Sequence, residues 1–343
     1  MRSTVFEPGP GRLDPSVLRD SNLRTVLTSI ATKPGATAAD VSRSTGLSPS
    51  SVFRLLGELE EKGLLVEGGL VRGRRGQPGQ TLFMNPEGAY SLGCKLEAGR
   101  CELLLRSLGG RVIQQMSVAI PDIGSSGLEQ VGDVIAGVLT QQPASVRDRF
   151  AGIGVAVSPG YACLSSADWS VQQARDHLQR RTGQPVLILP WGAAGAWAEL
   201  AAIPPPRPAD FLYLYLDRQL HSGFVLDGRL WQGPNDQSGS LARAISGPGE
   251  AEAGGGGSDM LDPSQLGAAI RMICLSLGIP LVLIDGDRLD STLDELARQL
   301  SMSVAADDRM SPVIARGHAG PTAILKGAAL RPLYLKLFAN TGD

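Results

Sequence analysis

The sequence contains few of the residues that build disulfide frameworks and metal centres. Its four cysteines, Cys94, Cys101, Cys163 and Cys274, form no C-x-x-C or C-x-C pair. The histidines number only three: His177, His221 and His318. Disulfide-stapled domains and structural zinc sites depend on paired or closely spaced ligands. The sequence therefore argues against both, and we expect no metal site.

Long apolar runs are also missing. No apolar stretch approaches the 18 or so residues that a membrane-spanning helix needs. The opening segment MRSTVFEPGPGRLD has no hydrophobic run of the signal-peptide kind. With 43% hydrophobic residues in 343, the chain can still bury a large core and divide into two or three domains. We expect a globular cytoplasmic protein without a membrane partner.

Charge is small overall but unevenly distributed. The formal net charge is -2, yet residues 1–85 hold 11 Lys and Arg against 8 Asp and Glu. Residues 86–343 hold 21 against 26. A mildly basic N-terminal region followed by an acidic body is typical of a nucleic-acid-binding domain joined to a larger one.

The N-terminal region has the pattern of a helix-turn-helix. Apolar spacing predicts a first helix over 15–32, ended by Pro34 and Gly35. A second helix begins at Thr37, with Asp40 completing a capping box, and stops at Gly46. A third begins after about three residues, the usual helix-turn-helix separation.

The third helix lies in TGLSPSSVFRLLGELEEKGLL, residues 45–65. Ser48 is the expected N-cap, and Pro49 takes the first helical position. The apolar residues recur at steps of three and four, which leaves Ser50, Ser51 and Arg54 on the opposite face. That face is either solvated or the DNA-reading face of a recognition helix, where Arg54 can reach guanine or phosphate.

A wing is predicted after Gly63. Two extended segments, 64–67 and 70–72, flank Gly68-Gly69, which is a two-residue hairpin signal, and a strand resumes over 80–84. A winged helix-turn-helix accounts for all of these features. The expected DNA-binding residues are Thr37, Arg43, Ser48, Ser50, Ser51, Arg54, Arg72, Arg74, Arg75 and Gln77.

The basic stretch RGRRGQPG, residues 72–79, has two interpretations. It is either a solvated linker or a segment whose arginines lie in a narrow A·T minor groove. Arg75-Gly76-Gln77-Pro78 resembles the minor-groove pattern Arg-Gly-Arg-Pro, with the second arginine replaced.

The body, from residue 86, has an α/β pattern. Residues 90–120 alternate apolar and polar residues, with turns at Ala98-Gly99 and Gly109-Gly110, and predict three antiparallel strands. Helices and strands then alternate up to the PPPRP boundary at 204–208. A second lobe follows, with strands near 211–216, 223–226 and 229–232, a helix over 264–277 and a buried strand LVLID.

Several ordered segments make the chain resemble the ROK family, and specifically its repressor branch. The segments are RDSNLRTVL, STGLSPSSVFRLLGELEEKGLL, TLFMNPEGAYSLGCKL, GIGVAVSPG, FLYLYLD, SGFVLDGRLWQG and ILKGAALRPLYLKLF. The resemblance implies a two-lobed body with the actin and hexokinase fold. It places the DNA-binding domain in 1–85 and the body in 86–343, with lobes 86–203 plus 322–343 and 209–321. It also implies a homodimer or homotetramer on an inverted-repeat operator.

The chain departs from the family's kinase motifs. Pro190, Trp191 and Ala193 stand where ROK kinases carry Asn-Asp-Ala-Asn, whose Asp is the general base. The phosphate turn after FLYLYL is DRQLHSG, and the zinc-ligating Gly-Glu-Ile-Gly-His segment becomes GSLAR, residues 239–243. Asp285-Gly286-Asp287 replaces the late Gly-Gly-Gly. The comparison implies a pseudokinase without catalytic residues, metal or cofactor, and makes an active sugar kinase the least favoured function.

The replacing residues leave two functions open. Trp191 and Trp197 either pack in the core or form a stacking platform, Arg243 is either solvated or an anion ligand, and Asp217 ends a strand. If the body senses a small-molecule effector, the expected ligand-binding residues are Trp191, Asp217, Ser240 and Arg243. The alternative is a ligand-independent DNA-binding protein whose body serves only as a dimerisation scaffold, with Trp191 and Trp197 filling the cleft.

Overall fold

The computed structural model divides the chain into two units. One comprises residues 1–89 with 334–343, and the other residues 90–333. The residues that the structure describes are 15–71, 79–97, 99–120, 125–158, 170–203, 208–217, 219–231, 263–286, 298, 302 and 312–339.

Among its described residues up to 89, the first unit contains three helices and a small sheet. The helices are α1 (Pro15–Thr32), α2 (Ala38–Thr45) and α3 (Pro49–Glu61). The strands β1 (Ala36–Thr37), β2 (Leu65–Val71) and β3 (Gly79–Met84) form a sheet of order β1-β3-β2.

Local sequence signals place the ends of these helices. The predicted capping box at Thr37 is present, and Gly46 ends α2 in the left-handed conformation with φ of 72°. Ser48 caps α3, with Pro49 at its start. The buried residues of α3, Val52, Leu55, Leu56 and Leu59, are the apolar set that the spacing predicted. The helix-turn-helix prediction is thus confirmed at the level of its elements.

The hairpin predicted at Gly68-Gly69 is wrong. β2 continues through both glycines without a chain reversal and pairs antiparallel with β3. The register of this pairing shifts between Glu67 and Leu70. Neither glycine has the positive φ that a two-residue hairpin turn demands. A Cβ on Gly68 would lie 2.5 Å from Thr81 Oγ1, so this glycine admits a cross-strand side chain instead. The glycine pair marks a bulge.

Two sheets of identical topology form the second unit. The first contains β4 (Tyr90–Glu97), β5 (Gly99–Ser107), β6 (Val112–Ile120), β7 (Phe150–Val157) and β8 (Val186–Pro190). Its order is β6-β5-β4-β7-β8. The three predicted strands form the antiparallel part, and β7 and β8 add parallel strands.

The second sheet repeats this arrangement. It contains β9 (Phe211–Leu216), β10 (Leu220–Leu226), β11 (Arg229–Leu230), β12 (Leu281–Gly286) and β13 (Val313–Arg316), in the order β11-β10-β9-β12-β13. β9, β10 and β11 are antiparallel, and β12 and β13 are parallel additions. β10 begins three residues before its predicted start at Gly223, and the sequence did not predict β13.

The remaining helices among the described residues are α4 (Ser125–Thr140), α5 (Ala144–Arg147), α6 (Val171–Thr182), α7 (Trp191–Ala202), α8 (Pro263–Leu277) and α9 (Ala323–Leu337). Glycines permit the close approach of α9. A Cβ on Gly154 of β7 would lie 1.9 Å from the carbonyl oxygen of Ala328. A Cβ on Gly327 would lie 1.7 Å from the carbonyl oxygen of Ala194 in α7. Backbone therefore packs directly on backbone in this part of the core.

Candidate functional site

The start of α3 holds its own hydroxyls in a capping network. Ser48 Oγ accepts a hydrogen bond from the amide of Ser51 at 3.2 Å. The same oxygen lies 3.1 Å from Ser50 Oγ and 2.9 Å from Ser51 Oγ. The three predicted DNA-binding serines are thus brought together. Ser48 thereby also satisfies the amide of Ser51, one of the open amides at the helix end.

The outward face of α3 carries Arg54. Its side chain is exposed, and no residue in the described part of the chain forms a hydrogen bond or ion pair with it. Phe53 beside it is 78% exposed. The sequence analysis missed Phe53, although an aromatic residue out of phase with the buried positions of a helix was the signal that could have revealed it.

Thr37 and Arg43 meet at the start of α2 through Asp40. Thr37 Oγ1 donates to Asp40 Oδ2 at 2.8 Å, and Arg43 Nη2 lies 2.5 Å from Asp40 Oδ1. The amide and hydroxyl of Thr37 hold the pKa of Asp40 down to about 2, with smaller help from the charges of Lys33 and Arg43. Arg43 remains mostly exposed and so available to an anion.

Six of the predicted site residues lie outside the described residues. They are Arg72, Arg74, Arg75 and Gln77 of the basic stretch, and Ser240 and Arg243 of the body.

In the body, Trp191 lies inside an aromatic cluster at the start of α7. It is 2% exposed, and its Nε1 donates to the carbonyl oxygen of Ala156 at 3.3 Å. Its ring centroid is 4.9 Å from that of His221 and 6.0 Å from that of Tyr215. The ammonium of Lys95 lies 4.5 Å from the centre of the indole. This buried cation over an aromatic face was not predicted from sequence.

Asp217 and Glu97 balance the charge of this cluster. Lys95 Nζ lies 2.6 Å from Glu97 Oε1, and Asp217 Oδ1 lies 3.1 Å from His221 Nε2. Burial would raise the pKa of Asp217, but the hydrogen bond and charge of His221, helped by the amide of Gln219 and then by Lys95, outweigh it and lower the pKa. Trp191 and Asp217, predicted separately, are therefore linked through His221.

A second buried polar group contains Glu199 of α7. This carboxylate is fully buried and accepts hydrogen bonds from the amides of His318 and Ala319, each at 2.7 Å. Asp285 of β12 accepts from the hydroxyl of Tyr213 at 3.3 Å. Burial, together with the negative charge of Glu199, raises the pKa of Asp285 to about 6. Sequence reasoning treated Asp285 only as a replaced glycine.

Among the described residues, the structure shows neither a candidate metal-binding cluster nor a helix suited to span a membrane. Within the described ranges, no cluster of three His, Cys, Asp or Glu side chains has the arrangement of a metal site. The described helices include none with the length and apolar character needed to cross a bilayer.

Comparison with known proteins separates the two parts of the chain. A family model of the IclR helix-turn-helix domain matches residues 23–69, from α1 into β2. No curated protein sequence matches the chain. The chain is similar in structure to a ROK family transcriptional regulator described as a homologue of the E. coli MLC protein, with a TM-score of 0.70 at 21% identity. That match covers 94% of this chain and 98% of the other.

Two sugar kinases are similar over a smaller share. A ROK hexokinase from Thermus thermophilus matches with a TM-score of 0.52 at 20% identity, over 70% of this chain and 97% of its own. A ROK glucokinase from Streptomyces griseus, solved with glucose and AMPPNP, matches with a TM-score of 0.52 at 15% identity, over 70% and 98%. The chain therefore has the fold of a ROK family regulator, a helix-turn-helix domain at its N-terminal end joined to a mixed α/β body.

Proposed function

We propose that this protein is a sequence-specific DNA-binding transcriptional repressor. The observation that carries the proposal is the exposed face of α3, where Arg54 has no intramolecular partner in the described part of the chain. In a helix-turn-helix domain, the first turns of the second helix enter the major groove and contact base edges. The basic balance of residues 1–85 supports the same function.

The test begins with selection of preferred sites from a random pool of double-stranded DNA. Arg54→Ala should then weaken binding to the selected site by about 1–3 kcal/mol and relax preference at one base pair, if the arginine contacts guanine through two hydrogen bonds. Arg147→Ala, which removes an exposed charge from the body, is the matched control. Unchanged affinity and unchanged preference in Arg54→Ala would refute the role given to this residue.

The body is proposed to be non-catalytic. The indole of Trp191 is buried in the position that the family resemblance gives to the catalytic Asp, and it has no group that can take a proton from a sugar hydroxyl. Purified protein is expected not to phosphorylate hexoses with ATP. Sugar-dependent ATP turnover that a body substitution abolishes would contradict this.

We propose that the body assembles the protein into a homodimer or homotetramer on an inverted-repeat operator. Burial of Trp191 and Trp197 supports the scaffold function, since both indoles are packed against neighbouring side chains. The alternative is a body that senses an effector. The buried polar side chains of Lys95 and His221 support it, because a ligand site needs polar groups inside the body. Analytical sedimentation of the protein with operator DNA, in the presence and absence of a panel of sugars, distinguishes the scaffold from the sensor. Release of DNA by a sugar would favour the sensor.

The minor-groove role of Arg72, Arg74 and Arg75 stays a proposal. Replacing all three with glutamine should flatten the salt dependence of binding and reduce the preference for A·T flanks. Titrations on two operators that differ only in their flanks measure both quantities. If the wild-type protein and the triple variant show the same salt dependence and the same preference for A·T flanks, the linker interpretation is the one that remains.

A further inference from the structure

Four residues share the outward face of α3. Successive helical residues turn by about 100°, so Ser50, Phe53, Arg54 and Gly57 fall on one side. The buried residues Val52, Leu55, Leu56 and Leu59 fall on the other. The outward face thus carries the hydroxyl of Ser50, the ring of Phe53 and the guanidinium of Arg54. Gly57 places no side chain on this face.

Phe53 contributes little to the packing of the described residues. It is 78% exposed, and its ring contacts no other aromatic ring among the described residues. A side chain so exposed gains little of the stabilisation that burial of a Phe ring provides. An exposed aromatic residue beside an unpartnered arginine is therefore better explained by a binding partner.

Gly57 gives an independent indication of a partner. Glycine inside a helix destabilises it relative to alanine. Its φ is not positive, and a Cβ built there meets nothing within 4 Å. Neither backbone conformation nor internal packing requires this glycine. It leaves clearance at the very face that carries Phe53 and Arg54.

We propose that Phe53 is a specificity-determining residue that contacts the C5 methyl group of a thymine in the major groove. The inference rests on the proposed DNA-binding function. The thymine methyl is the apolar group on the major-groove edge of the bases, and aromatic side chains are suited to it. The positive charge of Arg54 favours a polyanion on this face over an apolar protein partner. Gly57 leaves room for the DNA strand beside the ring.

Uracil tests the contact because it differs from thymine only by the lack of that methyl group. In the site selected by the wild-type protein, each thymine is replaced singly by uracil. Burial of one carbon is worth about 0.8 kcal/mol, so one thymine in each half-site should lose about fourfold in affinity on replacement. Uracil at the other thymines should have little effect.

Two variants assign the methyl group to this side chain. Phe53→Ala should bind thymine and uracil operators equally, and Phe53→Leu should keep part of the difference. The exposure of Phe53 predicts unchanged unfolding curves for both. Arg54→Ala is the matched control, which should lose affinity while still discriminating thymine from uracil.

The outcomes separate this inference from the function on which it rests. If no site is selected, the DNA-binding function fails. If a site is selected but no uracil replacement weakens binding, or if Phe53→Ala still discriminates, the thymine contact is refuted while the function stands. A change in oligomeric state of Phe53→Ala without DNA would assign the ring to a protein interface and also overturn the inference.

Discussion

Carboxylates in the two units are held in opposite ways. Asp40 in the first unit accepts from the amide and hydroxyl of Thr37, and its pKa falls to about 2. Asp285 in the second unit is 9% exposed and faces the carboxylate of Glu199, and its pKa rises to about 6. One acid is stabilised in its charged form by neighbours in its own helix turn. The other is destabilised in that form by residues distant in sequence.

This difference separates two ways of building a polar site. The partners of Asp40 lie within seven residues of it, so each contact follows from a local rule of helix capping. Glu199, Asp285 and His318 come from α7, β12 and the segment after β13, and only the folded sheet brings them together.

Glu199 should give the largest effect on stability. Glu199→Ala leaves the amides of His318 and Ala319 without their acceptor, and each unpaired buried donor costs about 1–3 kcal/mol. We expect the free energy of unfolding of the body to fall by about 2–4 kcal/mol. Tryptophan fluorescence in denaturant reports on the body, because all four tryptophans follow residue 168. Glu199→Gln, which keeps one acceptor, should lose less; equal stability of all three proteins would contradict the prediction.

Asp285 should make stability depend on pH. Its pKa is raised on folding, so its contribution is fully present below pH 4, where both states are protonated, and is lost as pH rises through 6. The shift corresponds to roughly 2–3 kcal/mol between pH 4 and pH 7. Asp285→Asn should remove this dependence and be more stable than wild type at pH 7. The check is denaturant unfolding across that range, and parallel curves for the two proteins would count against it.

Features that depend on contacts between neighbouring residues could be predicted from the sequence, and features that depend on distant residues could not. The caps at Thr37 and Ser48, the stop at Gly46 and the buried face of α3 depend on short-range signals, and all were predictable. The hairpin prediction at Gly68-Gly69 failed because Gly68 makes room for Thr81 of the neighbouring strand, a contact that local composition does not encode.

In the body, individual strands were predictable but their meeting points were not. Lys95 and His221 lie 126 residues apart in the sequence, yet both contact the indole of Trp191. No short-range pattern connects them. The family resemblance indicated which motifs had changed, whereas the packing of the replacements required the structure.

Asp40 should show the opposite pH dependence to Asp285. Its pKa is lowered on folding, so its contribution is present above pH 4 and is lost as pH falls through about 2. At pH 7, Asp40→Ala breaks the capping box and should destabilise the first unit by about 1 kcal/mol. Amide exchange of α2 measures this. Asp20→Ala, at an exposed position on α1, is the control, and an equal effect of the two changes would disprove the capping role.

Gly57→Ala should give the smallest effect on stability, and the effect should be stabilising. Gly57→Ala adds a methyl group that meets nothing within 4 Å, so α3 should gain about 0.5–1 kcal/mol. If the space beside Gly57 admits DNA, the same variant should bind its operator more weakly on every sequence, because the methyl group crowds the strand.

Gly154→Ala is the contrasting variant, since its Cβ would clash with the carbonyl oxygen of Ala328 and destabilise the body. Thermal unfolding and operator titration of both variants measure these effects. A more stable Gly57→Ala that binds DNA as tightly as wild type would show that the space beside Gly57 is not used.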